Sequence, residues 1–352
     1  YSTYILFVYS LLLLLLSLKG ITRTPQYFGS YIFIYCVLLI LLIDLLFRPN
    51  NFTVKYIYEF VVFGLIPIFM ISQVKDYEML LRIFSLVSFF VFIIYFIDPL
   101  NDYRVFGDYM TFGFMLALPA YFGLYIGRKF FKYRWLVPFE IICLVEILIF
   151  SNRSAILSVI IFWVLIQFVY LKGTVKKLMK LFILSLLIIL FIISFEHLMN
   201  FIVSLLNNYG VYSYSITKLN IFMSGYSLEN FFSGRLEIWA IAKDLIDNNF
   251  LFGHGTGAFE AKYGRYTHNI CLDLLIQYGF MGFLAMLILI TKSSINIFKY
   301  DEGSIKLLGI TLLCLWFPKL LFSTYFIKEI AIWCFITLGF FHKRKKRLIL
   351  YS

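Results

Sequence analysis

Met79-Leu80-Leu81-Arg82-Ile83-Phe84-Ser85-Leu86-Val87-Ser88-Phe89-Phe90-Val91-Phe92-Ile93-Ile94-Tyr95-Phe96-Ile97 carries one charge, Arg82, near its start and is otherwise apolar or hydroxyl-bearing. About 20 such residues, wound as an α-helix, cross the roughly 30 Å of hydrocarbon in a bilayer. The stretch therefore predicts a membrane span. Working outward by the same test gives eleven candidates, at 2–18, 27–47, 56–73, 79–97, 109–127, 134–150, 153–171, 178–196, 269–291, 305–322 and 325–341. The predicted fold is all-α, a polytopic transmembrane helical bundle of about eleven spans with one large external loop.

Composition agrees. The 352 residues are 62% hydrophobic and 14% charged, with a mean hydropathy of +0.90, far from the balance of a water-soluble domain. Phe and Tyr are abundant and suit a bundle core or a bilayer interface. Cys36, Cys143, Cys271, Cys314 and Cys334 lie scattered in apolar stretches without paired spacing and read as small buried hydrophobes. Since the sequence begins at Tyr1 and not at Met, a missing N-terminal portion is expected.

The net charge of +12 does not call for nucleic acid, because the basic residues sit mostly in short loops between apolar runs. Those loops also orient the chain. Loops on the side of the His342-Lys343-Arg344-Lys345-Lys346-Arg347 tail hold 20 of the 31 lysines and arginines, which places that tail in the cytoplasm. The organisation expected is a bundle of eight spans over 1–196, an external loop over 197–268, and three spans with a basic cytoplasmic tail over 269–352.

A connection of about seventy residues is unusual, since loops beyond roughly 15 residues carry function or disorder. Within it, Gly234 to Ile246 has helical spacing, with Ser233 as a candidate N-cap and Glu237 in the first turn. Leu236, Trp239 and Ile246 are expected to rest on the membrane surface or to cap the bundle. Gly253-His254-Gly255-Thr256-Gly257 lacks the Gly-Lys-Ser/Thr ending and the preceding strand of a nucleotide loop, so its glycines serve a sharp turn or a close backbone approach.

Arginine should be scarce outside, so those placed there are candidates for substrate contact: Arg104, Arg153, Arg235 and Arg265, joined by Lys319 and Lys328 around the last external turn. A guanidinium matches phosphate oxygens in a bidentate fork at any relevant pH. The competing reading pairs each with a carboxylate or a lipid headgroup. Asp44, Glu59, Glu146 and Glu196 gather towards the same side, with Glu140 deeper, and Glu146 precedes Arg153 by about two turns as a prospective partner. His268, next to Asn269 where the loop re-enters the membrane, is a candidate general base, and Asp273 is expected one turn on to orient it. His197 and His342 have dull settings. No His/Cys/Asp cluster has metal-ligand spacing, so no metal and no cofactor is expected.

In order and context these pieces resemble the O-antigen polymerase and O-antigen ligase superfamily: Arg104-Val-Phe-Gly107, Ser151-Asn-Arg153-Ser-Ala155, Ser233-Gly-Arg235 with Trp239, Phe252 to Gly257, His268-Asn269, and Tyr278-Gly-Phe-Met-Gly282. The likeness covers roughly 100–285. It departs at Gly107-Asp108-Tyr109, where members often show an asparagine, which weakens Arg104. The resemblance implies a GT-C-like glycosyltransferase of the bacterial cytoplasmic membrane with its large loop in the periplasm. Its implied substrates are undecaprenyl-pyrophosphate-linked glycans, as donor and as acceptor. It further implies contact with membrane lipids and with a chain-length regulator protein. By position, Arg153, Arg235 and His268 carry the implied catalytic roles, with Arg104, Arg265, Lys319, Lys328, Glu146 and Asn269 binding substrate. Polymerase is preferred to ligase. A flippase or transporter would spread its charges over two related halves, which the one-sided arginines do not do.

Overall fold

A computed structural model describes residues 28–74, 76–97, 112–170, 234–300 and 302–349, with isolated positions between, and the side chains of 32–340 within those ranges. The spans expected at 2–18 and 178–196, with Arg104, Glu196, His197 and Ser233, lie outside them, as does the side chain of His342. The described residues are helical, without strands.

The helices are α1 (Phe28–Phe47), α2 (Asn51–Ser72), α3 (Tyr77–Ile97), α4 (Leu118–Phe130, entered through a π-turn at Phe112–Ala117), α5 (Val137–Phe150) and α6 (Arg153–Tyr170). Then come α7 (Arg235–Asn248), α8 (Ala258–Tyr263), α9 (Ile270–Phe298), α10 (Gly303–Phe322) and α11 (Ile330–Ile349). Five of them, α2, α3, α6, α9 and α10, are long and apolar enough to cross a membrane, and Ile32–Phe47 and Ile330–Phe340 are shorter apolar helices.

Two starting points differ from the sequence limits, for local reasons. Helix α2 begins at Asn51, not at 56, because the Asn50 side chain accepts from the amides of Phe52 and Thr53 and caps the helix there. Helix α11 begins at Ile330, not at 325, because residues 323–329 form a turn whose Ile327 carbonyl accepts from the indole of Trp333.

The chain forms two compact units, residues 79–236 and the paired segments 1–78 and 237–352. In the first, α3 packs against α4 and α5. Gly123 and Gly127 let Ser88 and Ser85 come so close that a Cβ at either glycine would lie about 2 Å from a serine oxygen. Phe122 stacks on Phe162 of α6 at 4.3 Å, and Arg128 forms a two-pronged pair with Glu140. Glu140, read from sequence as the deeper acid of the external set, is thus the counter-ion of an arginine in the last turn of α4.

In the second unit α9, α10 and α11 pack together with α2, and Trp333 and Phe60 meet edge to face at 5.0 Å within the core. Helix α7 caps this bundle: Ile238, Ala242 and Ile246 are buried against Phe259 of α8 and Ile276 of α9, while Leu236 stays exposed. Of the two placements expected for this helix, capping is the one the core adopts.

Candidate functional site

Three connections assigned to the outside, 48–55, the end of the large loop and 323–329, converge at one end of the second unit. The Gly-His-Gly-Thr-Gly segment is the first tie. Arg48 donates to the Gly253 carbonyl at 3.0 Å, Asn50 to that of Thr256 at 2.7 Å, and the Asp44 carboxylate accepts from the amide and hydroxyl of Thr256 at 2.8 and 2.6 Å. On its other side the segment runs beside a break in α9, where Gly279 has φ 64° and ψ −168°. The amides of His254 and Gly255 donate to the Ile276 and Gln277 carbonyls that this break releases. A Cβ on Gly253 would sit 2.5 Å from the Gly279 nitrogen, so the glycines serve a backbone approach.

His268 lies just before α9, whose N-cap is Asn269: the Asn269 carboxamide oxygen accepts from Cys271 and Leu272 amides. His268 itself has φ 57°, a left-handed conformation that strains a residue with a Cβ and marks functional positions. Its Nδ1 bonds the Ser323 carbonyl at 3.3 Å, and the Tyr266 hydroxyl donates to that same oxygen at 3.3 Å. Asp273 does not take the orienting role expected of it. It is 2% exposed and accepts instead from Gln277, one turn on, at 2.7 Å.

Around this histidine the external turn collects aromatic rings and lysines. Tyr266 lies 4.2 Å from the His268 ring and 5.5 Å from Tyr325, which in turn stacks on Tyr56 at 5.0 Å. The Tyr325 hydroxyl donates to both oxygens of Glu59 at 2.6 Å, and burial with that carboxylate raises its pKa. The ammoniums of Lys328 and Lys55 stand 4.7 and 5.4 Å from the Tyr325 ring centre. Burial pulls Lys328 below the ordinary lysine value, the nearby Glu59 opposes this, and Lys319 and Lys55 add to it. Lys319 pairs with Glu329 at 2.5 Å, and Lys55 lies 4.0 Å from Glu260, whose acid form is favoured by burial. The cluster is a charge-balanced, partly desolvated set of bases, acids and phenols next to a strained histidine.

Of the sequence candidates, this brings together His268, Asn269, Lys319 and Lys328. Arg265 sits apart from it in an exposed pair with Glu237 at 3.2 Å. In the other unit, Arg153 opens α6 after Asn152, which caps the helix by accepting from the Ala155 amide at 2.8 Å. Gly113 in the π-turn lets Ser151 pack close. Glu146 lies beside the Tyr95 hydroxyl. Arg235 starts α7 directly after Gly234, whose φ is 75°. Sequence reasoning passed over Lys55, Tyr56 and Tyr325. The available signal was Lys55, one of two lysines and arginines in a loop already counted as external.

Residues 139–287 match the sequence profile of a family described as O-antigen ligase. No curated protein and no solved structure matches the chain. The matched region runs from α5 through the large loop into α9 and holds Arg153, Arg235 and His268 in the order noted in the sequence. The matched part of this membrane-helical chain is thus similar to the O-antigen ligase family, which supports the resemblance to the O-antigen polymerase and ligase superfamily read from the motifs.

Proposed function

We propose that the protein is a GT-C-like glycosyltransferase joining undecaprenyl-pyrophosphate-linked repeat units, a surface polysaccharide polymerase acting at the outer face of the bacterial cytoplasmic membrane. The observation that carries this reading is the setting of His268. A carbonyl oxygen only accepts, so the bond to Ser323 makes Nδ1 the protonated nitrogen and Nε2 the basic one. An imidazole held in this way at one end of a helical bundle, among lysines and tyrosines, fits removal of a proton from a sugar hydroxyl.

In the reaction, the acceptor oxygen bonds to the donor's anomeric carbon as the bond from that carbon to the diphosphate oxygen breaks. The bonding pair leaves with the diphosphate, and the hydroxyl proton passes to His268 Nε2. Arg153 and Arg235 counter the charge growing on the leaving group, with Arg104, Lys319 and Lys328 assisting. Such electrostatic support is commonly the largest contribution, and loss of one donor costs about a hundredfold or more. The activated pyrophosphate linkage supplies the energy, so this reading needs neither nucleotide nor metal.

The experiment is complementation of a deletion strain with Arg235→Ala and His268→Ala, read from the banding of surface polysaccharide. Long chains from both variants at normal expression would remove the site. The matched family's description favours a second reading, transfer of glycan to a lipid A core. The deletion strain separates them: one repeat unit on the core indicates a polymerase, bare core a ligase, and unchanged bands neither.

A further inference from the structure

The turn that joins α7 to the Gly-His-Gly-Thr-Gly segment exposes Phe250, Leu251 and Phe252 in succession, Phe252 at 64%. Just before it, Lys243, Asp244, Asp247 and Asn248 are exposed on α7. A surface that is polar along a helix and then apolar over three consecutive residues has met a change of surroundings. The core does not take these side chains, since α7 buries Ile238, Ala242 and Ile246 and the turn lies beyond them.

Two apolar helices mark the level at which the turn sits. In α9, no side chain is exposed from Ile270 to Gly279. After the break, Phe280, Met281, Leu284, Leu287 and Ile288 are exposed at helical spacing, a single apolar stripe. On a helix long and apolar enough to cross a bilayer, such a stripe faces lipid. Phe250 stacks on Phe280 at 5.4 Å, and the amides of Phe280 and Met281 donate to the carbonyls of Phe250 and Leu251 at 2.7 and 3.3 Å. The turn is therefore seated at the head of the stripe. In α1, Leu46 and Phe47 are exposed and Arg48 follows them. An arginine directly after an exposed apolar pair marks where a helix leaves the hydrocarbon. Arg48 donates to the carbonyl of Gly253, so the residue next to Phe252 is held at that boundary too.

We propose that Phe250, Leu251 and Phe252 enter the bilayer and rest among its acyl chains, anchoring the large loop on lipid. The backbone of the turn is suited to this. Bare carbonyls are costly in hydrocarbon, and those of Phe250 and Leu251 are taken up by amides that the Gly279 break sets free. The Gly253 carbonyl accepts from the side chains of Arg48 and Asn249. Three hydrocarbon side chains offer no hydrogen bond to a sugar or a phosphate. Acyl chains require none, and they continue the lipid-facing surface of α9 and α1 without a step. The anchor holds whatever reaction the loop serves.

The test is fluorine NMR of the full chain in phosphatidylcholine nanodiscs, with trifluoromethylphenylalanine in place of Phe252, Phe280 or Lys243, each in a separate protein. Two paramagnetic probes are added in turn: a phosphatidylcholine carrying a nitroxide near the top of its acyl chain, and a gadolinium chelate confined to water. The lipid probe should broaden the resonance at 252 as strongly as that at 280 and several-fold more than that at 243. The chelate should give the opposite order. Phe252 is mostly exposed and the replacement keeps its ring, so the label leaves the fold intact. Broadening at 252 by the chelate to the extent seen at 243 overturns the anchor. Protection of 252 from both probes overturns it as well, since the turn is then covered by protein, either a second copy or another part of the chain.

Discussion

The Nδ1 atom of His268 and the carbonyl oxygen of Ser323 are 3.3 Å apart, and this bond fixes which nitrogen of a strained histidine is basic. Fifty-five residues separate the two, so the chemistry of the re-entry loop depends on the turn between α10 and α11. Replacing His268 by Ala should lower transfer by about 10² to 10⁴, the usual contribution of a positioned base. His268→Gln keeps a donor towards Ser323 but no titrating group, so it should be as inactive while melting at the wild-type temperature. A single-turnover assay with purified protein measures both; an active Gln variant would reassign the base.

Asp44 and Thr256 act as one clasp, with two bonds from a buried carboxylate to one residue. Asp44→Ala should cost about 2–3 kcal/mol, as hydrogen bonds to a charged group do when one partner stays buried. Thr256→Val removes the hydroxyl's bonds to Asp44 and to the Tyr278 hydroxyl but leaves the amide bond to Asp44, and should cost less. The double variant should fall short of the sum of the two single losses, exceeding Asp44→Ala only by the bond between Thr256 and Tyr278, which thermal unfolding of the three proteins will show.

Two glycines with similar φ should respond differently to alanine. At Gly279 the new Cβ would lie 2.3 Å from the Leu251 carbonyl atoms, whereas at Gly234 nothing is within 4 Å. Gly234→Ala should therefore cost only the left-handed backbone penalty, about 1–2 kcal/mol. Gly279→Ala should add a backbone clash and exceed about 3 kcal/mol. Comparable melting temperatures would show that the loop is not seated in the α9 break.

Glu260 sets a pH dependence whose sign can be worked out. Burial raises its folded pKa above 4.5, with Lys55 opposing. The folded protein thus holds the proton to higher pH than the unfolded chain, and the stability this supplies is present below pH 4.5 and lost as pH rises through the folded value. Glu260→Gln abolishes that loss, so its melting temperature should exceed wild type by a margin that widens as pH rises through this window. A margin independent of pH would refute the assignment.

Much of the fold was legible because membrane helices obey two simple rules, length and charge side. Those rules placed Lys319, Lys328 and the large loop on one side, and the structure joins them at one end of a unit. Asp273 shows why the finer geometry was not legible. Helical spacing placed it on the same face as His268, but Asn269 is the N-cap, so His268 lies outside the helix and its direction follows a left-handed backbone instead. Tyr325 was taken for the start of a span because it is aromatic and followed by apolar residues; its partner Glu59 lies 266 residues away, a distance no local pattern encodes. Lys55 resembled any interfacial lysine until the loop beside it was seen to carry Glu260.

The clasp between α1 and the large loop also imposes an order on synthesis. Asp44 is made 212 residues before Thr256, which at roughly 5–20 residues per second is a wait of about ten to forty seconds. Throughout that interval the carboxylate at the end of α1 has only interfacial water to satisfy it, and the first helices sit in the bilayer without their seal. Nascent chains stalled before residue 256 should therefore be substrates for membrane proteases, and chains that have passed it should escape them.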